Sequence, residues 1–108
     1  MLTKESAETV QARLQDDQEF AIALFNEAIA ALFNSEPELT RLILRDLVNA
    51  TIGFEALATL TDRPSKSLHR MLSPSGNPTM DNLTLILKTL QAKLNIQVSI
   101  QTTPRTPA

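Results

Sequence analysis

Residues 53–83 read GFEALATLTDRPSKSLHRMLSPSGNPTMDNL, and the fold turns on how this stretch divides. Gly53 punctuates the chain, after which FEALATL spaces Phe54, Leu57 and Ala58 as the inward face of a short helix. A turn of three or four residues follows. A second short helix is then expected over 64–72, with Leu68, Met71 and Leu72 as its apolar anchors, three and four apart. SPSGNP, at 73–78, is dense in turn formers. Thr79 can cap a last helix in which Leu83, Ile86, Leu87, Leu90 and Leu94 share one face. Lys66, His69 and Arg70 concentrate positive charge in this segment, although the chain has a formal net charge of −2.

Upstream, residues 5–15 form a weak amphipathic helix, with Val10 and Leu14 four apart. Asp16 and Asp17 can cap the next helix, which is expected to run to about Phe33. Its stripe is Phe20, Leu24, Ala28 and Leu32, widened by Ile22, Phe25, Ile29 and Phe33. NSEPE breaks it, with Ser35 as N-cap and Pro37 early in a helix carrying Leu39, Leu42, Ile43 and Leu47. Downstream, NIQVSIQ alternates Ile96, Val98 and Ile100 with polar residues, the period of a half-buried strand. A lone strand cannot satisfy its own backbone, so it needs another copy or a partner to pair with. The expected organisation is an N-terminal helical extension over 1–50, a two-short-helix module over 51–94, a strand over 95–101 and a flexible tail over 102–108.

Composition narrows the function classes. The 108 residues are 43% hydrophobic and 20% charged, ordinary for one globular domain. There is no cysteine, so disulfides, thiol nucleophiles and thiolate metal sites are excluded. A single histidine argues against a metal centre, and no cofactor is expected. Glu55 and Asp62 read as surface carboxylates; without a phosphate-cradling loop or a fixed carboxylate pair, an enzyme is not expected. The start lacks the apolar core of a signal peptide, and FAIALFNEAIAALF is too short to span a bilayer, so a cytoplasmic protein is expected. Charge is split along the chain. Residues 1–40 carry a net −6, and residues 41–108 a net +4.

Two short helices joined by a tight turn are the skeleton of a helix-turn-helix that reads DNA. Ala58 is small enough to let the second helix pack closely. With Leu68, Met71 and Leu72 inward, Lys66 and Arg70 fall on the opposite face at i and i+4. Ser65, Lys66 and Ser67 are the expected base readers, His69 and Arg70 flank them, and Arg63 can reach a phosphate.

From ATIGFEALATLTDRPSKSLHRMLSPSGNPTMDNL onward the chain resembles the Xre-type helix-turn-helix regulators. More narrowly, it resembles the addiction-module antidotes, the HigA-like antitoxins. Gly53, Phe54, Leu57, Ala58, Ser67-Leu68, RMLSPSGNPTMDNL and Leu90 carry the likeness. The loop ending in GNP is its most specific part. EPELTRLILRDLVNAT resembles the helix that precedes the module in these antidotes. The sequence departs at Asp62, where many relatives have a glycine in left-handed conformation, at Arg63, often apolar, and at Pro64, often a serine or threonine cap. The resemblance implies an all-α, lambda-repressor-like bundle of about five helices, to which the alternation in NIQVSIQ adds a short C-terminal β-strand. It implies a homodimer on a palindromic DNA operator, repression of the chain's own operon, and binding of a RelE-like or HigB-like toxin. A stand-alone prophage-type regulator and a protein-interaction module that no longer engages DNA are the alternatives. The acidic first forty residues and a pI of about 5.3 motivate the latter.

Overall fold

The first helix, α1 (Lys4–Phe33), is a single rod of 30 residues. It belongs to a computed structural model that describes residues 4–107, with side chains from residue 18 onward. After it come α2 (Pro37–Ala50), α3 (Gly53–Thr61), α4 (Ser65–Met71) and α5 (Met80–Leu94). The protein is all-helical: five helices and no strand occur among the described residues.

The expected break at Asp16 and Asp17 does not occur. Two carboxylates can cap a helix, but nothing between Lys4 and Phe33 is a glycine or proline. An aspartate inside a helix costs under about 0.7 kcal/mol, less than nucleating a new helix. The expected face is buried only in part: Phe25 and Ala28 lie in the core and Leu24 and Ile29 pack against it. Ala21, Phe25, Ala28 and Ala31 are buried, whereas Phe20 is 52% and Phe33 70% exposed. Small residues at the seam let α2 lie close against α1, and the bulky ones are pushed to the flanks. The Val10 and Leu14 pairing lies outside the described side chains.

Three helices end by the same device, and none uses glycine. Ser35, Asp62 and Asn95 take positive φ of 61°, 54° and 55°. In each case the next amide reaches back five residues: Glu36 N to Ala31 O at 2.9 Å, Arg63 N to Ala58 O at 3.2 Å, Ile96 N to Gln91 O at 3.0 Å. This 6→1 closure satisfies a carbonyl that the helix leaves unpaired. Ser35 therefore ends α1 and does not cap α2, whose N-cap is Glu36 ahead of Pro37. Reversing the chain between two antiparallel helices requires the left-handed residue, and Ser35 is the one placed to supply it.

One core draws on all five helices. Ala21, Phe25 and Ala28 of α1 meet Ile43, Leu44, Leu47 and Val48 of α2, with Phe54, Leu57, Leu68, Leu72, Ile86 and Leu90 completing it. Ala58, Met71, Leu83, Leu87 and Leu94 are half-buried against it, as their spacing implies. Leu39 and Leu42 of α2, by contrast, stay exposed.

The expected strand over 95–101 is not formed. The described chain has no second extended segment to complete a ladder. Its alternation survives as burial only over 96–99: Ile96 and Val98 rest half-buried against the core while Gln97 and Ser99 are exposed, but Ile100 is 63% exposed. The Val98 amide donates to Gln91 Oε1 at 3.1 Å, a side chain standing in for a strand partner. Residues 101–107 are exposed and irregular. No helix among the described residues is long and apolar enough to cross a membrane.

Candidate functional site

The α3–α4 pair is built on Asp62. Its left-handed conformation (φ 54°, ψ 43°) closes α3 and turns the chain. The sequence marks this position, since aspartate tolerates the region better than most side chains. Pro64 follows in extended conformation (φ −60°, ψ 138°) as the N-cap of α4, without a side-chain capping bond. The helix thus begins at Ser65, one residue later than the sequence suggested. Its first closing bond runs from Leu68 N to Pro64 O at 3.1 Å.

The short helix has two faces. Leu68 is fully buried, as is Leu72 just beyond it. Lys66 and Arg70 are exposed, and their spacing stacks them on the side away from Leu68. Ser65 and Ser67 lie half-buried between the two faces. Arg70 and His69 occupy the last turn, where the Arg70 cation complements the negative end of the helix dipole.

The other two candidate residues are engaged within the molecule. His69 lays its ring on Phe54 of α3, with centroids 3.9 Å apart and planes 22° from parallel. One face of the imidazole is therefore committed to holding α3 and α4 together, although the residue is exposed overall. Arg63 turns toward α5: its Nε donates to Asn82 Oδ1 at 2.9 Å, and its Nη1 reaches Thr61 O at 3.3 Å. The phosphate contact read for Arg63 from its charge competes with that bond.

Two contributors escaped the sequence reading. Arg41 of α2 donates through Nε to Ser73 O at 3.0 Å and through Nη2 to Pro74 O at 2.6 Å. Thirty-two residues separate Arg41 from Ser73, so no local pattern announces the contact. Asn82 is the second, and only its place three residues after Thr79 hints at a role. Thr79 caps α5 as expected, accepting from Asn82 N at 3.1 Å. Gly76 explains the compactness of the 73–78 loop: a Cβ there would overlap the carbonyl oxygens of Met71 and Arg70.

Comparison with protein-family models, with curated proteins and with solved structures gave no match. The chemistry of the site must therefore be read from its own residues. An ammonium and a guanidinium on one exposed face offer a compact point charge and a planar fork of donors. Flanked by two hydroxyls, they suit an extended anionic partner. Among the described residues, no group of three or more histidine or carboxylate side chains is placed to hold a metal.

Proposed function

We propose that α3, the Asp62–Pro64 turn and α4 form a helix-turn-helix, and that the protein is a sequence-specific DNA-binding regulator. The observation that carries this reading is the two-faced α4, with Leu68 buried and Lys66 and Arg70 exposed opposite it. Lys66 and Arg70 supply contacts to guanine or phosphate, and Ser65 and Ser67 add hydroxyls. The resemblance to the addiction-module antidotes extends the proposal: a cytoplasmic antitoxin that represses its own operon and binds a RelE-like or HigB-like toxin. On this view the protein acts as a homodimer, with two α4 helices about 34 Å apart on a palindrome. The net −6 of residues 1–40 suits that half to a basic protein partner, leaving the +4 half to DNA.

The test is a mobility shift with the DNA fragment upstream of the chain's own reading frame. Lys66→Ala/Arg70→Ala is expected to bind at least tenfold more weakly while keeping its helical circular dichroism. For each phosphate that the variant no longer neutralises, the slope of log affinity against log salt should become shallower by about 0.9. A double variant that shifts the fragment as well as wild type does would falsify the assignment of this face. A second reading, a protein-interaction module that leaves DNA alone, is favoured by the engagement of Arg63 and His69 within the molecule. Absence of any shift by wild type at low salt selects it.

A further inference from the structure

At seven residues, α4 is too short to hold its own shape, since isolated helices below about 12 residues are marginal in water. Nor does a side chain cap its start. Beyond the burial of Leu68 and the stacking of His69 on Phe54, both of its ends are tied down by arginines. At the start, Arg63 bridges from the turn to Asn82 of α5, and its Nη1 also reaches the Thr61 and Asp62 carbonyls at 3.3 and 3.4 Å. At the end, Arg41 grips the carbonyls of Ser73 and Pro74 from α2. Ser73 passes the restraint on, because its backbone amide and its hydroxyl both donate to Arg70 O, at 3.2 and 2.8 Å.

We infer that Arg41 and Arg63 are positioning residues for α4: they fix the pose in which Lys66 and Arg70 are presented, and neither touches the DNA. The inference rests on α4 being the DNA-facing helix. A guanidinium can hold two acceptors at once in fixed geometry, which a lysine ammonium on its flexible stem does not reproduce. With one brace gone, α4 samples several poses. Apparent affinity then falls in proportion to the fraction of molecules in the competent pose. The number of phosphates neutralised in the bound state stays the same, so the salt dependence stays the same. An arginine that touches phosphate behaves otherwise, because removing it lowers the salt slope by about 0.9.

Asn82→Ala separates the two roles, since it leaves the Arg63 guanidinium in place and removes only its acceptor. The experiment compares full-length wild type with Arg63→Ala, Asn82→Ala, the Arg63→Ala/Asn82→Ala pair and Arg41→Lys. Binding to the upstream DNA fragment is titrated with salt, and amide hydrogen exchange is followed in the free protein. A competent fraction of about one tenth gives a tenfold loss of affinity. That loss is expected for Asn82→Ala and Arg63→Ala alike, with the double variant no worse than either and the salt slope unchanged. Amides of α4 should exchange faster in every variant, Arg41→Lys included, while those of α2 and α5 hold. If Asn82→Ala binds as tightly as wild type while Arg63→Ala lowers the slope, Arg63 is a phosphate contact and the inference is overturned. If wild type binds no DNA, the DNA reading fails and the exchange data decide the brace: α4 protection equal to wild type in all variants overturns it.

Discussion

Replacing Gly76 with alanine tests why the 73–78 loop closes as it does. The added Cβ would sit inside the van der Waals surface of two backbone oxygens, those of Met71 and Arg70, and neither can swing aside as a side chain can. The loop must move instead. Accommodating an extra carbon in a packed site costs about 1–3 kcal/mol. Displacing the loop also strains the bond from Gly76 N to Ser73 O, 3.0 Å in the native loop and worth about 1 kcal/mol. It also shifts the Ser73 and Pro74 carbonyls that Arg41 holds. Alanine returns about 0.4–1 kcal/mol by restricting the unfolded chain. The net loss is about 1–4 kcal/mol, a large share of the 5–15 kcal/mol of stability usual for a domain. With no tryptophan or tyrosine in the chain, urea unfolding is followed by far-ultraviolet circular dichroism. At a slope of about 2 kcal/mol per molar urea, the midpoint should fall by about 0.5–2 M. Gly53→Ala is the internal comparison. That residue also resists substitution, but through its φ of +80° alone, with nothing within 4 Å of a new Cβ. The left-handed penalty of about 1–2 kcal/mol, less the same unfolded-state gain, leaves about 0–1.5 kcal/mol. If Gly76→Ala proves no more destabilising than Gly53→Ala, the close-approach argument is refuted.

Thr79→Ala removes the hydroxyl that accepts from Asn82 N and should destabilise by about 1 kcal/mol in the same unfolding assay. A loss shared by Thr79→Ser, which keeps the hydroxyl, would contradict the capping role. Ser35→Gly relieves a left-handed serine. The relief of about 1–2 kcal/mol, less about 0.4–1 kcal/mol of unfolded-state entropy, predicts a melting point higher by a few degrees; a lower one would show that the Ser35 side chain contributes more than its backbone strain costs.

Which features were legible in the sequence depended on how locally each was encoded. Helical periodicity in α3 and α5 named Phe54, Leu57, Ile86 and Leu90 as core, because burial repeats with the helix itself. Thr79 announced its role through residue chemistry at a single position, and Asp62 through the glycine position it fills in the family resemblance. The limits of α1 were less visible, since a cap-forming pair such as Asp16-Asp17 is equally compatible with an unbroken helix. Periodicity also misjudged its inward side. It counts apolar residues without weighing size: Phe25 and Ala28 are buried as expected, but the close seam with α2 took Ala21 and Ala31 in place of Phe20 and Leu32. NIQVSIQ has the pattern of a strand, but pattern cannot supply the second strand on which a ladder depends. In the candidate site, the exposed pair Lys66 and Arg70 followed from spacing alone. The engagements of Arg63 with Asn82 and of Arg41 with Ser73 span 19 and 32 residues, and only the folded chain brings them together.

The small-residue seam of α1 also has a colloidal consequence. With Ala21, Ala28 and Ala31 beside Phe25 on its inward side, the helix leaves Phe20, Ile22, Leu32 and Phe33 exposed, and α2 adds exposed Leu39 and Leu42 nearby in sequence. Glu19 and Glu27 on α1, Glu36 at the start of α2 and Glu38 within it are all exposed as well. Mutual repulsion between these carboxylates keeps the greasy flanks of neighbouring molecules apart. That protection weakens as the medium approaches the isoelectric point of about 5.3, where net charge vanishes and association is favoured. The acidity of the first forty residues thus sets like charge beside the apolar flank that α1 leaves exposed.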